Sequence, residues 1–341
     1  MNQKVSAFLM SLILLAFPFI SFGQGQQAVE LFPIIQNGKV GYIDKNGIVV
    51  ISPRFEVVKE SSVPIFPLFH EGLASVRIKG KWGYIDTKGN IAIEPLFSEA
   101  SDFSEVGLAR VKINGKVGFI NKSGQFAIKP LFRDANPFSD GLAQVAVGNK
   151  WGYIDAKGTM IIQPQFLEAG SFEQGLALVN TNGKKDVYVD KSGNVALRCP
   201  FHCVGGFSDG LAIAEQDFGN YAKAGYMDMA GSVVITPQFD GAEDFSEGLA
   251  HVAIKGRWGY IDKTGKIVIS LQFTEANRFS EGLASVAVGS KFGFIDKTAM
   301  QVIKPQFDYA DSFTGGLALV VVGDKFGYVD RSGKYVWLPT K

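Results

Sequence analysis

A segment reading Gly-Leu-Ala-x-Val, then Lys-Trp-Gly-Tyr-Ile-Asp, then Gly, then Val-Ile-x-Pro-x-Phe recurs about every 34 residues along the chain. Its clearest copies run from Gly141 to Phe166 and from Gly248 to Phe273. A fixed period in this range marks a repeat array, in which each unit buries its apolar surface only against its neighbours. The Leu of Gly-Leu-Ala fixes the register at Leu73, Leu108, Leu142, Leu176, Leu211, Leu249, Leu283 and Leu317. Upstream, Leu31 to Asp44 aligns without a gap on Leu73 to Asp86, which makes nine units, none of them split between the two termini.

The repeat overrides the two-domain expectation that 341 residues would otherwise raise. The organisation read from the chain is a segment 1–23, a short lead 24–30 and a single array 31–341. In the first segment, Lys4 precedes an apolar run from Ala7 to Ile20, and Ser21-Phe22-Gly23 follows. A charged start, a short apolar core and a small-x-small site describe a secretory signal, and the run is short for a spanning helix. The expectation is an exported protein, periplasmic or extracellular, with no integral membrane segment once the signal is removed. The chain carries 34 Lys and Arg against 33 Asp and Glu, with neither sign concentrated. That balance gives no footprint for nucleic acid or an anionic membrane.

One unit, residues 141–171, shows the local logic. Leu142 to Val147 is β-prone, and Gly148-Asn149 is a two-residue hairpin signal. Lys150 to Ile154 forms a second strand, and Asp155 to Gly158 a turn opened by an Asp side chain and closed by a left-handed Gly. Thr159 to Gln163 forms a third strand that Pro164 ends. The Phe-x-x-Ala-x-x-Phe spacing beyond does not alternate, so a short fourth strand there is left open. The expectation is therefore an all-β tandem array of three-stranded antiparallel meanders. Strands such as Lys266 to Ile269 are apolar on both faces, which means units stacked sheet on sheet. The pattern leaves open whether they form an open superhelix, a solenoid or a propeller-like ring. Trp82, Trp151 and Trp258 share one register position and precede Gly83, Gly152 and Gly259, glycines expected to admit the backbone of a neighbouring sheet.

Lys81-Trp82-Gly83-Tyr84-Ile85-Asp86 through Pro95-x-Phe97 resembles the motif of the WG-repeat (KWG-repeat) family of bacterial proteins, and the resemblance covers residues 31–339. It implies an exported or modular β-repeat scaffold and carries over no catalytic residue. Departures from the pattern cluster in units five and six. Asp186 stands at the Trp position, Val187 at the Gly position and Cys199 at the Pro position, and unit seven has Leu271 at the last.

The row of Asp44, Asp86, Asp155, Asp190, Asp228, Asp262, Asp296 and Asp330 invites a calcium reading. Each turn offers one carboxylate, however, whereas Ca²⁺ takes six or more oxygens, so turn initiation is the expectation. Glu99, Glu168 and Glu275 repeat at one loop position like scaffold, and His70 and His251 read as surface substitutions. No nucleophile elbow, P-loop or zinc-protease motif is present, and no catalytic residue, cofactor or metal site is assigned. Cys199-Pro200-Phe201-His202-Cys203 holds both cysteines, and a disulfide, two buried thiols and a metal site are its three readings. Unit six then carries extra residues around Glu215 to Asn220. If a partner binds, Asp186, His202, Asp217, Phe218 and Asn220 are its expected contacts. The leading expectation is a non-catalytic exported scaffold that binds protein or glycan or serves structurally in the cell envelope. The alternative is a glycan-active enzyme on a propeller-like fold, which requires an off-pattern carboxylate pair that the sequence does not display.

Overall fold

The computed structural model describes residues 30–60, 63–181 and 186–340; the segment 1–23 and most of the lead 24–30 lie outside them. The described residues form nine small antiparallel sheets, plus a two-stranded hairpin of Val58–Glu60 and Val63–Ile65. The sheets, in chain order, are blades 1 (32–56), 2 (69–97), 3 (99–132), 4 (134–166), 5 (168–198), 6 (202–239), 7 (241–273), 8 (275–307) and 9 (309–340) of a β-propeller.

Blade 4 is representative, with strands Asp134–Ala135, Ala143–Val147, Lys150–Ile154 and Met160–Phe166 in that order. The three-stranded expectation is corrected here. The Phe-x-x-Ala segment does pair, Asp134 with Ala146 and Ala135 with Val145, but over two residues, too few to alternate. Blades 2 to 9 are four-stranded, and blade 1 has three strands among the described residues. The second and third strands are buried, whereas the fourth follows an exposed-exposed-buried pattern that puts it on the rim.

The solenoid and superhelix alternatives are also corrected, because blade 9 packs on blade 1. Tyr328 Oη donates to Pro33 O at 2.9 Å, Thr340 Oγ1 donates to Ile35 O at 2.8 Å, and the Phe32 and Tyr328 rings meet edge-on at 5.6 Å. The Tyr328 bond repeats around the ring, for Tyr84 donates to Ser101 O, Tyr153 to Gly170 O and Tyr260 to Asn277 O, each reaching the next blade at 2.7–2.8 Å. A buried hydroxyl needs such a partner, so the Tyr of Trp-Gly-Tyr acts as an inter-blade bolt.

Two glycine positions are explained by space. Trp151 pairs with Phe166 and Tyr153 with Ile162, so the fourth strand bulges around Pro164. A Cβ on Gly152 would strike Ile162 O and lie 2.8 Å from Pro164 N. The backbone it admits is thus the fourth strand of its own blade, not that of a neighbouring sheet as expected. Gly158 closes the Asp155 turn at a φ of +82°, and a Cβ there would lie 3.3 Å from Ile128 of blade 3. Asp155 Oδ1 accepts from the amides of Lys157 and Thr159 at 2.9 and 2.8 Å, so the turn uses the carboxylate itself.

The chain direction sorts the connections onto two faces. The 148–149 hairpin tip and the 166–168 link to the next blade lie on one face, and the 139–141 and 155–158 turns on the other. The second face is stitched in the same way at the seams that follow blades 4, 6, 7 and 8. Ser139, Ser208, Ser246 and Ser280 each donate to the carbonyl of Phe172, Phe245, Phe279 and Phe313 of the following blade at 2.7–2.8 Å. Beside them Asp140, Asp209, Glu247 and Glu281 accept from Gly175, Gly248, Gly282 and Gly316.

Candidate functional site at the axis and the seam of blades 5 and 6

The residues between the first-strand Ala and the following Phe surround the ring axis. Their position shows in their electrostatics: Glu173 of blade 5 feels the charge of Asp244 of blade 7, and Tyr42 of blade 1 that of Asp102 of blade 3. Such pairs skip a blade and meet only near the centre. Enclosure by the ring pushes the carboxyls of Asp102, Glu173, Glu243, Asp244 and Asp311 above their ordinary values. Asp244 and Asp311 keep contact with water, so the enclosure is a wet well. Asp102 lies 3.4 Å from His70 Nε2 and 3.3 Å from Ser75 Oγ, and the Arg278 guanidinium partly offsets the shifts of Asp244 and Asp311. His251 is buried beside Trp258, and that burial pushes its imidazole down to about 3. No group of three His, Cys, Asp or Glu among the described residues could hold a metal ion.

The seam between blades 5 and 6 lacks the stitching of the seams that follow blades 4, 6, 7 and 8. Glu173-Gln174 stand where blades 4, 6, 7 and 8 carry Ser with Asp or Glu, so both inter-blade bonds are replaced. On the blade 6 side the axial residues are Gly205-Gly206. A crevice of about 440 Å³ opens there, with Glu168, Ser171, Glu173, His202 and the two glycines among its lining.

The sequence-derived contacts distribute around this seam. Cys199 and Cys203 are joined as a disulfide with Cα atoms 5.9 Å apart, and Cys203 Sγ lies 3.8 Å from Met227 Sδ in the blade 6 core. His202 opens the first strand of blade 6, exposed and opposite Glu215. Asp186 opens a strand opposite Asn180, and its side chain lies outside the described residues. Asp217, Phe218 and Asn220 sit together on the blade 6 hairpin tip, where Leu211–Asp217 and Ala222–Asp228 extend the usual strands. Phe218 is 47% exposed and Tyr221 58%, and their rings stack at 5.5 Å with 17° between planes. Asp217 Oδ1 accepts from Gly219 N at 2.7 Å, so it shapes the turn.

Sequence reasoning missed Glu173 and the Gly205-Gly206 pair. The signal was present, because Glu173 breaks the Ser of the Phe-Ser-x-Gly turn. Glu168, read as scaffold, lines the crevice, and His251 is core, not surface.

The model of the family described as WG containing repeat matches residues 41–82, 82–116, 118–151, 151–184, 188–221, 225–258, 258–292 and 292–326. The chain belongs to the WG-repeat family. Each matched WG unit begins in the third strand of one blade and ends near that of the next. Eight units therefore correspond to the eight covalent junctions of a nine-bladed ring, and the ninth junction is the packed one between blades 9 and 1. No curated protein matches the chain. Among solved structures, a eukaryotic initiation factor is similar over 90% of this chain and 94% of its own, at 11% identity and a TM-score of 0.61. A dihydro-heme d1 dehydrogenase, NirN, is similar over 96% and 76%, at 14% identity and a TM-score of 0.49. At 11% identity the likeness to the initiation factor shows the fold alone.

Proposed function

We propose that this WG-repeat propeller is a non-catalytic, exported binding scaffold whose partner docks on the face carrying the blade 6 tip. The observation that carries the reading is the stacked, exposed Phe218–Tyr221 pair, set on the lengthened hairpin of blade 6. Aromatic anchors ringed by polar side chains, here Asp217 and Asn220, are the usual makeup of interface hot spots. The Asp turns on the opposite face repeat from blade to blade, and near-identical surfaces give little basis for selecting one partner. Export rests on the N-terminal signal reading of residues 1–23. The test is a pull-down from the native cell envelope with wild type and with a deletion of Gln216 to Gly219. Loss of partners by the folded deletion variant supports the reading, and full retention moves the binding surface elsewhere.

A glycan-active enzyme is the second reading. It is favoured by Glu173 and Asp244, carboxylates that interact across the axis in unlike surroundings, since Asp244 has Arg278 nearby. Hydrolysis of a glycan panel that Glu173→Gln abolishes would establish it.

A further inference from the structure

We propose that the crevice between blades 5 and 6 receives a single Lys or Arg side chain from a protein partner. This rests on the binding-scaffold reading and names the partner's chemistry.

The space is made by omission. At the axial position before the Phe, blades 3, 4, 5, 7, 8 and 9 carry Asp102, Pro137, Ser171, Asp244, Arg278 and Ser312, and blade 6 carries Gly206. A Cβ on the adjoining Gly205 would meet nothing within 4 Å. Into this gap leans Glu173, whose carboxylate occupies the place a Gly206 Cβ would take. The side chain that would otherwise close the seam, a Ser bonded to the next blade's Phe carbonyl, is the one Glu173 replaces. Among the described residues the Glu173 carboxylate makes no hydrogen bond or ion pair, whereas that of Asp102 has Ser75 and His70.

Charge and shape then select the occupant. Glu168 and Glu173 line the crevice, the field of Asp244 reaches Glu173, and among the described lining residues His202 is the one basic side chain, with no Lys or Arg. Unrelieved carboxylates in a partly enclosed site favour a cation. A bare metal ion is disfavoured, since no three ligating side chains among the described residues converge. Ala169, Leu178 and Val204 supply an apolar wall beside the carboxylates. An alkyl stem with a charged head matches that division, the methylenes lying along the wall and the head at Glu173.

The test uses the purified protein and four probes: the peptide acetyl-Gly-Gly-Lys-Gly-Gly-amide, the same peptide with an acetylated lysine, spermidine, and calcium chloride. Amide NMR shifts at Gly205 and Gly206 report occupancy. The lysine peptide is expected to shift both, with affinity reduced about tenfold or more by lysine acetylation or by Glu173→Gln. Gly206→Ala, which places a methyl where the carboxylate rests, is expected to weaken it too. Equal binding by the acetylated peptide, or undiminished binding by Glu173→Gln, overturns the proposal. Spermidine binding without the lysine peptide reassigns the site to a free amine, and calcium alone producing the shifts reassigns it to a metal. If the Gln216 to Gly219 deletion loses its partners while the lysine peptide does not bind, the scaffold reading stands and this inference falls.

Discussion

Blades 4 and 5 are built from the same repeat and end differently. In blade 4 the third strand carries Gly152, the fourth carries Pro164, and two residues of the one face four of the other. In blade 5 the Gly is Val187 and the Pro is Cys199, and the bulge between them is gone: Val187 pairs with Arg198 and Tyr188 directly with Leu197. The two departures are one change. A Cβ at the glycine position cannot coexist with the crossing backbone, so a side chain there requires a regular ladder, and the strand then leaves through the Cys199–Cys203 bend. Blade 7 shows which partner matters. Leu271 replaces its Pro, yet Gly259 remains and so does the bulge, Trp258 pairing with Phe273 and Tyr260 with Ile269.

This contrast is broken most forcefully by Gly152→Val. The new side chain meets backbone that cannot turn away, and overpacking of this kind costs about 1–3 kcal/mol or more. Lys150→Ala, two residues away, should stay within about 0.5 kcal/mol. Thermal melts of the two variants that coincide would remove the bulge as the reason for the glycine.

Next in size is the disulfide. Reduction, or Cys199→Ala with Cys203→Ala, should destabilise by about 2 kcal/mol on the loop-entropy scale for so short a loop. Intact-mass analysis without reductant should find no alkylatable thiol, and two alkylated cysteines would mean that blade 5 holds its bend without the bond.

Glu173→Ser should act in the opposite direction. It restores the residue that joins blade 4 to blade 5 through Ser139 and Phe172 O at 2.8 Å, and a net hydrogen bond contributes about 1 kcal/mol. A lower melting temperature would show that the open seam is itself stabilising. Glu173→Gln sharpens the point through pH. Burial, then the charge of Asp244, raises the Glu173 carboxyl above 4.5. The folded state thus holds this proton more tightly than the unfolded chain, and stability falls as pH rises from about 4.5 through the raised value. Wild type should gain melting temperature on going from pH 7 to pH 5, and the Gln variant should gain less.

The smallest effect is expected at blade 8, where Ala299 stands at the position of Gly158 with a φ of +67°. Ala299→Gly removes left-handed strain of roughly 1–2 kcal/mol and adds unfolded-state entropy worth roughly 0.5–1, a net gain of a few tenths to about 1 kcal/mol. A measurable loss of stability would show that the Ala299 methyl contributes more to the blade 7 core than its backbone costs.

The strands that bury side chains on both faces, and the turns that require particular residues, were legible because each recurs with its chemistry attached. Leu142 to Val147, Lys150 to Ile154 and the Asp155 turn all lie where the pattern puts them. The first strands were not, because two paired residues leave no periodic trace. The hairpin of 58–65 was overlooked, although Leu31 and Leu73 stand 42 residues apart, wider than any other step. The crevice was least legible of all. It is made by side chains that are missing, and one more Gly-Gly in a chain with 40 glycines carries no visible signal. Ring closure was undecidable, since it depends on Tyr328 meeting Pro33, a pairing no local pattern encodes.

That closure bears on how the molecule is made. Many ring-shaped folds are completed by a sheet assembled from both chain ends, so their first-made strands must wait for the last. Here blade 1 takes all its described strands from residues 32–56 and blade 9 all of its own from residues 309–340. Each blade has its strands in hand soon after the ribosome delivers them, and it can dock on the one before without long-range pairing. The final step is a docking event in which Phe32, Pro33 and Ile35 receive Tyr328 and Thr340. Until then the apolar flank of blade 1 faces solvent, and that waiting surface is where premature association between nascent chains would begin.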